Sequence, residues 1–181
     1  MMQARNPFLG AIAGAAGGLL GSWTMVQFNH LLGGSTEDGG SHPHRRDEAS
    51  PNDTDSSIPD EPASSQVAGI ALEPVVGRPL TEREKELTGP IFHYAFGAAV
   101  GAIYGAAAER QPGAAKAAGI PFGAAVWIIA DEIGMPAAGL ARRPDAYPPS
   151  RHASSFASHL VFGLTVEAVR RALRGSPNRR G

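Results

Sequence analysis

Four stretches of the chain run for roughly 20 residues with almost no charge, the length that crosses a bilayer core about 30 Å thick. The first, Pro7 to Phe28, has no charged side chain, and neither has the second, Gly89 to Ala108. The third, Ala117 to Leu140, is interrupted only by Asp131 and Glu132. The fourth starts near His152 and reaches Val169, carrying Glu167 just ahead of Arg170 and Arg171. A soluble amphipathic helix shows polar residues on about half its positions, and these stretches do not. The pattern therefore predicts an all-α integral membrane four-helix bundle, with helices over 7–32, 89–110, 117–140 and 152–172. Arg5 ahead of an apolar run resembles the start of a signal peptide. The run exceeds a usual signal core and lacks a clear A-x-A cleavage site before Gln27, so the helix is expected to be retained.

Charge is concentrated between these helices. Of 17 acidic and 16 basic residues, 12 and 5 lie between Gly33 and Thr88. Residues 33–80 accordingly read as a disordered acidic loop, rich in Gly, Ser, Pro, Asp and Glu. His42 and His44 within it read as an incidental polar tract. At its end Thr81 and Glu84 form a capping-box pattern, predicting a short helix over Glu82–Leu87 that bends or breaks near Gly89–Pro90. The net charge of −1 and the scattered cations point to no nucleic-acid partner. The absence of cysteine removes disulfides and thiolate metal sites. An even number of spans puts both termini on one side. The arginine-rich end (Arg170 to Arg180, with a basic tail over 175–181) places that side in the cytoplasm by the positive-inside rule.

Small residues recur every fourth position: Gly10, Gly14 and Gly18, then Gly97, Gly101 and Gly105, with Gly119, Gly123 and Gly163 elsewhere. In lipid such stripes let helix backbones approach closely, and they predict tight packing in the bundle and self-association through small-residue faces. The second and fourth helices also share a phrase. His93, Phe96, Gly97 and Val100 match His159, Phe162, Gly163 and Val166, while Trp23 and Trp127 align the first and third more loosely. A duplicated two-helix hairpin would produce this.

Ionisable groups within a bilayer are costly and are functional candidates by default. Asn29, His30, His93, Asp131, Glu132, His152 and His159 fall in the half of the helices nearest the acidic loop, and His93, Asp131, Glu132 and His159 with Tyr104 and Glu167 make a candidate cluster of six. On the fourth helix His152, His159, Gly163 and Arg170 share a face to within about 20°. Two histidines and one or two carboxylates are thus expected to meet inside the bundle. Three uses remain open. One is structural, with hydrogen bonds fixing helix register. Another is a proton- or ion-responsive transporter, channel or pH sensor. The third is a metal held by His and carboxylate, although the spacing matches no ligand motif. No nucleophile–base pair, metalloprotease motif or phosphate loop is present, so neither an enzyme nor a cofactor is expected.

The second half of the chain resembles the YagU-like family of bacterial inner-membrane proteins. The resemblance rests on His93, Phe96 and Tyr104 with Glu109 closing the span, on Pro136-Ala-Ala-Gly139-Leu140, and on His159-Leu-Val followed by Glu167 and Arg170-Arg171. It covers about residues 90–174, and the first span only by type. It implies four helices in a bacterial inner membrane and supplies no reaction.

Overall fold

A computed structural model describes residues 5–32, 63–139 and 144–174. The described elements are helices and turns: α1 (Pro7–Leu31), α2 (Ala63–Val76), α3 (Glu82–Arg110), α4 (Ile120–Trp127), α5 (Met135–Ala137) and α6 (Pro149–Arg174). A 3-10 segment, Pro112–Gly119, joins α3 to α4, and a π-helical turn, Ile128–Gly134, joins α4 to α5.

α1 starts cleanly because the Asn6 side chain accepts hydrogen bonds from the Phe8 and Leu9 amides, at 2.9 and 3.3 Å, with Pro7 pre-set for the first turn. Its glycines divide into two stripes. Gly10, Gly14 and Gly18 lie against Gly105, Gly101 and Gly97 of α3, so closely that a Cβ at any of the three would overlap the facing carbonyl. Gly17 and Gly21 face Val166 and Phe162 of α6. On the far side Gly119 and Gly123 bring α4 and the turn before it equally close to Gly163 and His159 of α6. α1 therefore sits between α3 and α6, and α6 between α1 and α4. Met25, Tyr104, Phe162 and Val166 form the apolar core, with Tyr104 and Phe122 stacked at 4.3 Å between ring centres.

The two helix pairings share a contact. Gly97 lies on the Gly18 carbonyl, and Gly163 on the Gly119 carbonyl. In that correspondence Gly119 stands where Gly18 does, which aligns Trp23 with Ala124 and not with Trp127.

Three helical stretches, Pro7–Leu31, Arg83–Arg110 and Ala117–Ala137, are long and apolar enough to cross a membrane, where the sequence pattern suggested four. α6 is long enough, but serines, histidines and charged residues lower its apolar content. Those groups point inward: Ser158, His159, Glu167 and Arg170 are all buried. The outward faces are apolar, with Phe8, Ile12, Leu19, Trp23 and Ile103 all largely exposed.

Several local expectations need correction. The acidic loop was expected to be disordered over 33–80, yet 63–76 is helical because Ala, Val, Ile and Leu follow one another with a single charge, Glu73. Residues 33–62, with His42 and His44, lie outside the described residues, as does the 175–181 tail. The capping box at Thr81 forms as expected, with Glu84 Oε2 accepting from the Thr81 amide at 2.8 Å. The helix it starts does not break at Pro90. Proline removes only the donor that would reach the Glu86 carbonyl, and Thr88 Oγ1 adds a bond to the Glu84 carbonyl at 2.7 Å in the turn before it. The expected third helix over 117–140 is instead composite, beginning in 3-10 geometry and passing through the π-turn.

Candidate functional site

The six residues of the candidate cluster do not meet in one place. They belong to two networks at opposite ends of α6. His159 and Glu167 are eight positions apart, about 12 Å along the helix.

Tyr104 and Glu167 belong to the network at the terminal end. Glu167 Oε2 accepts from the Tyr104 hydroxyl at 3.0 Å and from Arg170 Nε at 2.7 Å; Oε1 accepts from Arg170 Nη2 at 2.9 Å and from Arg171 Nε at 2.5 Å. Glu109, closing α3, accepts from Arg174 at 3.2 and 3.3 Å and from the Asn6 amide at 3.3 Å, and lies 3.7 Å from Arg170 Nη1. Arg171 Nη2 also donates to the Ala115 carbonyl at 2.7 Å. Glu167 and Arg170 are 1% and 2% exposed. Both carboxylate oxygens of Glu167 are in use, so this network is saturated. Saturated buried charge fixes which helices pack together and leaves no lone pair for a ligand.

The other network gathers His93, Asp131, Glu132, His152 and His159. Its unusual element is the π-turn. In an α-helix neighbouring side chains diverge by about 100°; the wider π-turn lets both Asp131 and Glu132 face α6. Glu132 Oε1 lies 2.7 Å from His152 Nδ1, whose Nε2 faces the Pro144 carbonyl at 2.9 Å. A carboxylate and a carbonyl only accept, so both ring nitrogens of His152 donate and the pair is an imidazolium–carboxylate bridge. Asp131 Oδ2 accepts from the Ser155 hydroxyl at 2.6 Å, while Oδ1 faces His159 Nε2 at 3.7 Å. Ser158 donates to Asn29 Oδ1 and ties α1 to the same level.

The two matched histidines differ from His152. Nδ1 of His159 donates to the Ser155 carbonyl at 3.0 Å, which commits that nitrogen and leaves Nε2 pointed at Asp131. His93 bonds the Ser22 carbonyl, and its Nε2 is buried without a protein partner. Asp131 and His159 are the charged and titratable groups that act on it. This site is therefore incompletely satisfied, unlike the one below it. Trp127, at the start of the π-turn, packs edge-on against Phe156 at 5.0 Å with its indole N–H buried and unpartnered. Among the described residues no three His, Asp or Glu side chains stand together in a way that could hold a metal ion.

Sequence reasoning missed Arg170, Arg171, Arg174 and Glu109 as members of one network. The signal was available in the three- and four-residue spacing from Glu167 to Arg170 and Arg171, which pairs side chains on a helix. Ser155 and Ser158 gave no such signal, since serine is common in polar helices.

Among the described residues, fold and sites together define an all-α protein with three helical stretches apolar enough to cross a membrane and a fourth, more polar long helix packed between two of them. The chain belongs to the family described as protein of unknown function DUF1440, whose model matches residues 58–168. The match takes in α2, α3, α4, the π-turn and most of α6, and leaves α1 outside. No curated protein and no solved structure matches the chain.

Proposed function

We propose that this chain is a small multi-pass protein of a bacterial inner membrane, of the YagU-like kind, and that His93, His159 and Asp131 make a proton-responsive site within it. α6 crosses as a fourth helix, its buried polar side chains turned toward its neighbours, and both termini are cytoplasmic. The observation that carries the reading is the geometry of His159. With Nδ1 tied to the Ser155 carbonyl, only Nε2 is open, and it faces a carboxylate at 3.7 Å. Taking up a proton there turns a neutral contact into an ion pair with Asp131, next to a second histidine whose Nε2 is also open. An imidazole changes charge in the range between about pH 5 and 8, which suits a sensor, or a transporter or channel driven by protons.

The structural and interaction roles considered from the sequence fit the saturated Glu167 network instead. Self-association remains part of the proposal, but on outward faces, because Gly14, Gly18, Gly97, Gly101, Gly105 and Gly163, expected to pack helices, all face helices of the same chain.

Trp127 offers a readout. In a Trp23→Phe background, its fluorescence in liposomes should change sigmoidally with pH as the π-turn adjusts to the charge on His159. His159→Asn and Asp131→Asn should each flatten that curve without lowering protein yield. A curve that survives both substitutions would remove the proton-responsive reading.

A further inference from the structure

We propose that the outward face of α2 is a lipid-contact surface, so that α2 lies in the boundary between headgroups and acyl chains beside the entry of α3. The inference rests on the membrane reading above.

α2 has one charged residue in its 14 positions, Glu73, and no cation. Glu73 is turned to the protein, where its Oε1 accepts from the Leu80 amide at 3.2 Å. Val67, Ile70, Ala71, Pro74 and Val75 occupy an arc of about 140° on the helix. Val67 is half-buried and the other four are exposed or partly so, with Ile70 at 61% and Val75 at 82%. A helix facing water carries polar side chains on its outer face, whereas the outer positions of this one from Val67 to Val75 are all apolar.

The neighbourhood identifies what covers it. α2 packs on α3 through a turn held by Arg78, whose guanidinium donates to both Glu84 oxygens at 2.9 and 2.7 Å. Leu87 and Ile91 are exposed on the adjoining turns of α3, at 61% and 67%, and Ile91 already belongs to an apolar span. Leu31 and Leu32 are exposed at the end of α1, the other helix against α3. The apolar face of α2 thus continues the surface that meets lipid. Because it contains no lysine or arginine, its anchorage comes from apolar area and should not require anionic lipid.

The chain has no cysteine, so single cysteines can be placed in the full-length protein. Ile70→Cys and Val75→Cys report on α2, Ile103→Cys on the middle of a span, and Glu86→Cys on the polar start of α3. Each is labelled with the dye NBD and reconstituted into phosphatidylcholine vesicles containing lipids spin-labelled near the headgroup or deep in the acyl chain. Positions 70 and 75 are expected to be quenched most by the shallow label, 103 by the deep one, and 86 by aqueous iodide. If 103 behaves as expected while 70 and 75 respond only to iodide, the inference is overturned and the membrane reading stands. Dyes at 70 and 75 shielded from every quencher would mean that a second copy or another protein covers the face, which also overturns it. If 103 itself is reached by iodide and not by lipid, both readings fall together.

Discussion

The Glu167 carboxylate is 1% exposed and accepts from a phenol and two guanidinium groups at once. Burial of that kind is tolerable only while every partner is present. Glu167→Gln leaves the buried Arg170 guanidinium with only the more distant Glu109 as counter-charge, 3.7 Å away, and breaking a buried pair from one side costs about 3–5 kcal/mol. Tyr104→Phe removes a single hydrogen bond and should cost about 1–2 kcal/mol. Thermal unfolding in detergent should rank the two in that order, and equal effects would mean that Arg170 finds another anion. Two residues away from the same network, Ala117 and Ala118 hold φ of 59° and 55°, ahead of Gly119 at 86°. Left-handed backbone costs a non-glycine residue about 1–2 kcal/mol. Ala117→Gly should therefore raise the unfolding temperature, an outcome opposite to that of glycine within an ordinary helix.

Among the elements, the π-turn Ile128–Gly134 has the most direct bearing on chemistry. Such turns are rare and cluster at functional sites. Deleting Ile133, which is 58% exposed, should return the segment to α-helical winding and rotate Asp131 and Glu132 relative to α5. The expected result is a folded protein whose Trp127 fluorescence no longer follows pH. Loss of the monodisperse peak in size-exclusion chromatography would mean instead that the turn is needed for packing. This element also shows what was legible in the sequence. Apolar length identified α1, α3 and the α4 region because crossing a membrane depends on composition over about 20 residues. A π-turn depends on one residue more or fewer between two packed ends, and nothing in Ile128-Ile-Ala-Asp-Glu-Ile-Gly134 distinguishes it from an α-helix. α2 was missed for a related reason. Its apolar run is short, and it stands beside an acidic stretch whose average hid it. The capping box at Thr81 was readable because a few neighbouring residues alone specify it. His93, His159 and Asp131 could be nominated from their cost in lipid, but their division from Tyr104 and Glu167 comes from helix register, which the order of residues does not state.

Among the described residues the molecule buries Glu109, Glu167 and Arg170 and turns large apolar side chains outward. Its helices are held close by glycine, where a soluble bundle would use leucine. Gly18→Ala puts a methyl group into the Gly97 carbonyl and should cost more than the roughly 1–3 kcal/mol usual for overpacking, seen as loss of the folded peak. Gly113→Ala, with nothing within 4 Å of the added carbon, should be neutral or slightly stabilising. The account depends most on the claim that one polar site in this interior responds to protons while the other only holds helices together. Histidine-selective 15N NMR in lipid nanodiscs, monitored between about pH 5 and 8, tests it directly. His93 and His159 are expected to titrate in that range and to respond to each other, and Asp131→Asn should move the His159 transition. If both imidazoles keep one protonation state across the whole range, or if Asp131→Asn leaves the His159 titration where it was, the claim is contradicted.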